Sequence, residues 1–376
     1  MKNNMREVIT FRDCACVSNR LYFFSAEMTV PMELNLENEE FKTLPLIDIE
    51  KLSNKHLDLV IYEDGNLYVL DVSGEFLIQY SLSTFHYKYI NIGCNKHKDS
   101  NFACLCAYNR KVYIFTREQR ELIVYDVVKD AAERIQYPDV YSEYYITGCK
   151  LNDSYFIFPK NGKDVLEYDF IQNKWKIHCL HLDLVNCMHA IAENEYIYIL
   201  LASGSVLKWN YYSEKIEIIV SLEEIYKASN AASRICLTKE EIIILPSVAQ
   251  DIIKVDRVSN KISTYKDYPK DFSYASDKKH WSKYYGYCEN DTEYYFACRT
   301  SGYILKIEKQ NGRISWIKSE IDKREMFRIY LERNKSFVYE KEGDLELLTG
   351  LKNKERVEDI EKLNNGCKIW KEINIK

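Results

Sequence analysis

Apolar and polar positions along the chain repeat one phrase. An apolar run is followed by a polar gap, a second apolar run, and then a large residue seven positions further on. The first runs centre on Tyr22, Tyr68, Tyr113, Phe156, Tyr198, Ile243 and Tyr295. Twelve residues later, or eleven in the fifth copy, stand Leu34, Tyr80, Tyr125, Tyr168, Trp209, Val255 and Ile307. Seven residues beyond these come Phe41, Tyr87, Ala132, Trp175, Ile216, Ile262 and Ile314. A further column lies seven residues upstream of the first anchors: Ile61, Cys106, Cys149, Ile191, Cys236 and Cys288, with Cys16 one residue closer in the first copy. That reading puts Cys at five of seven positions, each a small hydrophobe packed between units.

Each copy therefore holds four short strands, a to d. In the fourth copy they are YYITGCKL, YFIFP, VLEYDF and KWKIHCL. The a–b and c–d turns are short and polar, among them EDGN, YNRK, IQNK and VSNK, which are hairpin chemistries. Four-stranded antiparallel units at a period of 41–52 residues predict an all-β fold, a β-propeller. A helical solenoid would need an apolar period of about 3.6 residues, and the chain has none.

The segment Tyr168-Asp169-Phe170-Ile171-Gln172-Asn173-Lys174-Trp175 resembles the Tyr-Asp…Trp half of a kelch repeat, and Tyr125-Asp126 keeps its start. The resemblance holds at the level of the repeat and covers about residues 11–318. The paired glycines after strand b are missing, and only 12 Gly occur in the chain, so other residues must supply the twist.

The propeller is expected over residues 1–350, with seven clear repeats in 11–318 and a partial eighth in 322–350. Residues 327–348 read as strands a to c of that eighth unit, with Phe337 at the first anchor; Met5–Ile9 would supply the outer strand and latch the ring. The balance of the pattern favours eight blades over seven. Residues 351–376 form a charged tail expected to be helical, with Ile369, Trp370 and Ile373 on one face.

Composition narrows the function classes. Tyr is abundant at 31 residues, consistent with pleated, half-buried strands. A net charge of −5 argues against a nucleic-acid binder. The N-terminus carries no apolar signal-like stretch and no apolar run approaches the length of a membrane span, so a cytoplasmic protein with no membrane partner is expected. The 12 cysteines are then expected to stay reduced, and no C-x-x-C spacing points to a metal. The Lys-, Asn- and Ile-rich composition suggests a bacterial, AT-rich source.

The d–a connections are long and variable (residues 90–101, 220–231 and 264–283), whereas the a–b and c–d turns are tight. Function is therefore expected on the d–a/b–c face. Four residues past the first anchors stand Ala26, Val72, Arg117, Lys160, Ala202, Ser247 and Arg299. Strand a contributes Asp13, Asp58, His189 and Arg234 near the same mouth, and the longest connection adds Lys279, His280 and Trp281. Arg and Lys suit a carboxylate or phosphate, and Trp281 suits a sugar ring or a peptide side chain. Cys14-x-Cys16 and Cys104-x-Cys106 are read as matching packed pairs. No catalytic constellation, phosphate loop or cofactor motif is present. The expectation is a non-catalytic propeller that holds a protein or peptide partner. An enzyme or binder acting on an anionic carbohydrate in a basic funnel is the alternative.

Overall fold

The computed structural model describes residues 6–26, 29–52, 57–72, 74–93, 102–117, 119–140, 144–226, 231–247, 251–272, 284–298, 301–322, 324, 325, 328, 329 and 332. Residues 10–319 make one compact unit; residues 1–9 with 320–376 belong to a second.

The larger unit is a seven-bladed β-propeller. It holds seven four-stranded antiparallel sheets, each made from one stretch of chain with its strands in the order a-b-c-d. The innermost strands are Phe11–Val17, Leu57–Glu63, Phe102–Tyr108, Tyr145–Leu151, Cys187–Glu193, Ala232–Leu237 and Tyr284–Glu289. The first six lie side by side in chain order, and the first also lies beside the seventh. Blades 6 and 7 share one apolar cluster, which takes in Ile243 and Val255 of the one and Phe296 and Leu305 of the other. The ring is thus closed.

The spacings in the sequence are the hydrogen-bond register. Every second anchor pairs with the residue just before a first anchor: Leu21 with Leu34, Leu67 with Tyr80, Val112 with Tyr125, Tyr155 with Tyr168, and likewise around the ring. Every second anchor also pairs with the residue seven positions on, as Tyr168 does with Trp175 and Trp209 with Ile216. A c–d hairpin of fixed length explains that constancy. Its last loop residue takes a positive φ in all seven blades: Glu39, Phe85, Asp130, Asn173, Glu214, Asn260 and Gly312. Left-handed backbone is cheap for Gly and Asn but costs roughly 1 kcal/mol for Glu or Phe, and the scarcity of glycine is met in this way. In blades 3, 4 and 6 an aspartate opens the same hairpin: Asp126, Asp169 and Asp256 each accept backbone N–H bonds from the residues two and three positions on.

The anchors carry the packing between blades. Tyr68 of blade 2 meets Tyr125 of blade 3 with ring centroids 6.0 Å apart. Tyr113 meets Tyr168 at 5.9 Å, and Phe156 meets Trp209 at 5.9 Å. A first anchor therefore lies on the second anchor of the next blade. Strand b is buried on both faces (VYIF of Lys111–Thr116 is fully covered), whereas strand d of the same blade is exposed along most of its length. Each such ring contributes about 1.5–3 kcal/mol from burial, with roughly 0.5–1.5 kcal/mol more from ring–ring geometry.

Three expectations are corrected. First, the ring has seven blades and not eight. Blade 7 supplies its own outer strand, Ile314–Lys318, so no position is left to fill. Residues 324, 325, 328, 329 and 332, read as part of a further β unit, are helical. Arg328 there pairs with Glu325 and Glu332, at the three- and four-residue spacings that a helix brings together. Residues 333–376, with Phe337 and the tail, lie outside the described residues. Second, Arg6–Val8 does not complete a blade. It pairs antiparallel with Glu320–Asp322 in a separate two-stranded sheet. Third, Ala15 and not Cys16 stands opposite Tyr22, so the cysteine column holds four Cys, not five. A one-residue shift exchanges the faces of a strand, and Cys14-x-Cys16 therefore does not match Cys104-x-Cys106. Among the described residues no helix is long and apolar enough to cross a membrane.

The anchor contacts can be tested at Tyr168. Its ring is fully buried, but its hydroxyl has no hydrogen-bond partner among the described residues. Tyr168→Ala should destabilise the propeller by about 3–5 kcal/mol, while Tyr168→Phe should stay within about 1 kcal/mol of the parent. Denaturant midpoints of the two variants measure the difference.

Candidate functional site

All seven innermost strands carry a register break near their first residues: between Phe11 and Cys14, Leu57 and Val60, Phe102 and Cys104, Tyr145 and Thr147, Cys187 and His189, Ala232 and Arg234, and Tyr285 and Cys288. An innermost strand has no sheet partner on the channel side, so its N–H groups there need other acceptors. A bulge re-aims a side chain toward that duty.

Two side chains perform it in the same way. Asp13 accepts from the backbone N–H of Val60 in blade 2 at 2.8 Å and from that of Tyr287 in blade 7 at 3.3 Å. His189 Nδ1 accepts from the N–H of Ile235 in blade 6 at 3.3 Å. Val60 and Ile235 occupy equivalent positions, opposite Val69 and Ile244. The imidazole of His189 also sits 5.3 Å from the ring of Tyr287, although blade 6 lies between their blades. The two rings meet across the narrow inner end of the propeller. Arg234 stands beside them and donates through Nη1 to the carbonyl of Ser233.

Burial and charge set the ionisation of this group. Burial pushes the Asp13 carboxyl up to about 7, against the lowering effect of its bonds from Val60 and Tyr287. Burial, helped by the nearby Arg234 guanidinium, holds the His189 imidazolium well below its ordinary range, so His189 is neutral.

The exit column is an architectural position as well. Ala26, Lys160, Ala202 and Ser247 each donate a backbone N–H to the residue preceding their own strand a: Thr10, Tyr144, Asn186 and Ala231. The carbonyl of Lys160 then accepts from Cys187 of the next blade. The Lys160 ammonium lies 5.3 Å from the Tyr144 ring centre. Arg117 holds the same place in blade 3. Its Nε is buried without a hydrogen-bond partner among the described residues, as are both amide atoms of Gln119 and the Oγ of Ser301. These three residues lie in b–c connections, of blade 3 and of blade 7.

Of the residues expected at the site, the structure brings His189 and Arg234 together, and it sets Arg117 and Lys160 at the b–c exits of adjacent blades. Arg299, Lys279, His280 and Trp281 lie outside the described residues. Sequence reasoning missed Tyr287, Gln119 and Ser301. Only the bulge brings Tyr287 to the channel, and no spacing rule reports a bulge. It also passed over the opposite face, where a groove of about 330 Å³ opens between blades 3 and 4, lined by Tyr108, Lys111, Phe170 and Ile171. On that face Val128, Ile171, Tyr212 and Val258 occupy the same turn position in four consecutive blades and are 66%, 66%, 72% and 93% exposed. Among the described residues no group of three or more His, Cys, Asp or Glu side chains is placed to hold a metal ion.

No protein-family model matches the chain, and no curated protein matches it in sequence. Solved structures do match in three dimensions. A virginiamycin B lyase from Staphylococcus aureus superposes with a TM-score of 0.60 at 9% identity, over 79% of this chain and 96% of that one. PorZ, a surface component of the type-IX secretion system of Porphyromonas gingivalis, gives 0.55 at 14% identity over 84% of this chain. The extracellular domain of a protein described as a one-component system from B. thetaiotaomicron gives 0.54 at 12% identity over 82%. They share this chain's fold. The chain spans only 39% and 44% of the latter two proteins, and identities this low carry the architecture alone.

The raised Asp13 pKa has a thermodynamic consequence. A carboxyl that titrates near 7 when folded and near 3.8 when unfolded contributes stability below pH 4 that is lost as pH rises towards 7. His189 acts with the opposite sign, losing stability as pH falls below its unfolded value of about 6.5. Asp13→Asn removes only the first effect. The melting temperature of the parent minus that of Asp13→Asn should therefore fall steadily between pH 4 and pH 7. A gap independent of pH would show that Asp13 titrates as an ordinary surface carboxylate.

Proposed function

We propose that this chain is a non-catalytic binding propeller of kelch-like repeats that holds a protein or peptide partner on its d–a/b–c face. The observation that carries this reading is the set of buried donors and acceptors in the b–c connections, Arg117 Nε, the Gln119 amide and Ser301 Oγ, which the described residues leave unpaired. A buried polar atom without a partner costs about 1–3 kcal/mol, and a ligand that supplies acceptors and donors relieves that cost. Lys160, its backbone bonded on both sides and its ammonium over the Tyr144 ring, adds a positive charge at the b–c exit of blade 4. Asp13, His189 and Tyr287 are engaged with one another's blades along the innermost strands, so the ligand is read at the b–c exits. The same donors suit the carboxylate of an anionic sugar, which stays the alternative ligand class.

A second reading rests on a different observation. The row Val128, Ile171, Tyr212 and Val258 offers exposed apolar side chains, at the tips of consecutive c–d hairpins, to a flat partner on the opposite face.

One pair of variants separates these readings. Arg117→Ala/Lys160→Ala/Arg299→Ala and Val128→Ser/Ile171→Ser/Tyr212→Ser/Val258→Ser are each compared with the parent in affinity capture and in thermal-shift screens against hexuronic acids. A captured protein lost by the basic triple variant but kept by the tip variant supports the loop face; the reverse supports the hairpin face. A shift with hexuronic acids that the triple variant loses favours the sugar reading.

A further inference from the structure

Each blade is built from its own strands, so the first and last blades share no strand and meet only through side chains and backbone contacts at one seam. The packing there is close. Gly286 lies against the backbone of Arg12 and Asp13, where an added Cβ would come within 3.0 Å of the Arg12 carbonyl oxygen. Asp13 accepts the Tyr287 N–H across the same seam. One residue further along each strand, the Sγ atoms of Cys14 and Cys288 stand 3.0 Å apart as a buried thiol–thiol hydrogen bond, both free of any disulfide. Cys14 reaches this position because Ala15, not Cys16, holds the repeat column, which turns Cys14 towards blade 7. Of the cysteine column, Cys288 is the one on the last blade, so the contact joins the two ends of the ring.

We infer that Cys14 and Cys288 are a disulfide site that closes the propeller covalently in oxidising surroundings. With hydrogen peroxide as oxidant, one thiolate attacks a peroxide oxygen. The O–O bond breaks, water leaves after proton transfer, and a sulfenic acid remains. The second sulfur then attacks the sulfenic sulfur, the S–S bond forms, the S–O bond breaks, and a second water leaves. Two thiols are oxidised by two electrons in all, and one peroxide is reduced to two waters. Burial holds the Cys288 thiol protonated, so the reaction is slow in the closed ring and proceeds when the seam opens or while the chain folds. The link spans 274 residues, and a cross-link over a loop of that length strongly restricts the unfolded chain. In reducing surroundings the same pair stays as two packed thiols.

The test uses the full chain in two arms: the native protein held with excess hydrogen peroxide, and the unfolded, reduced protein refolded in a mixture of oxidised and reduced glutathione. Free thiols are then alkylated under denaturing conditions and the peptides mapped by mass. In at least one arm the map should show Cys14 joined to Cys288, with a loss of two hydrogens. The linked ring should melt about 10 °C higher than the reduced one, and Cys14→Ser should abolish both effects while Cys16→Ser keeps them. The inference is overturned if both arms leave Cys14 and Cys288 alkylated, or join either of them to Cys16 or another thiol instead. The parent peptide map decides this without any variant having to fold.

Discussion

The propeller depends on one repeated contact: a large first-anchor residue on strand b of one blade lying against the second-anchor residue on strand c of the next. Tyr68 on Tyr125, Tyr113 on Tyr168 and Phe156 on Trp209 are three instances of the same geometry. A single four-stranded blade has two apolar faces and no means of covering either. Stacked in a ring, every face is covered by a neighbour, and the flat, continuously apolar strands b and c become the core. The fixed c–d hairpin holds each second anchor in register with strand d, and one turn geometry recurs in all seven blades.

A ring made this way concentrates its difficulties at two places. One is the channel, where innermost strands have unpaired edges. The bulge in every strand a answers it by aiming side chains such as Asp13 and His189 at the N–H groups of the adjoining blade. Ionisable groups are thereby drawn into burial for architectural reasons, and their displaced pKa values follow from that duty. The other is the seam between first and last blades, where Gly286 allows backbone to approach backbone, Asp13 bridges the strands and Cys14 meets Cys288.

The two faces of the ring then differ for a physical reason. The c–d hairpins are rigid and nearly identical, so whatever residue sits at their tip is presented in a regular row. The d–a connections differ in length, and the b–c connections leave from exit positions pinned to the blades by backbone bonds. The first arrangement favours an extended apolar contact, the second a local polar one. The unpaired polar atoms of Arg117, Gln119 and Ser301 belong to the second.

The amino-acid sequence by itself determined the strands, their hairpins and their register, because the spacing between anchors is a pairing distance along the chain and needs no tertiary information. It also determined the exit column that holds Arg117 and Lys160. The number of blades was a matter for the closed ring: whether residues 322–332 continue the pattern turns on whether a gap is left between blades 1 and 7, and local apolar alternation cannot report that. The alignment of Cys14 was likewise decided by pairing, since a one-residue offset in a strand changes its face and therefore its neighbour. Tyr287, Asp13 and His189 come together from blades 7, 1 and 5 only because the chain closes into a circle around them, which puts residues distant in sequence at the same inner end.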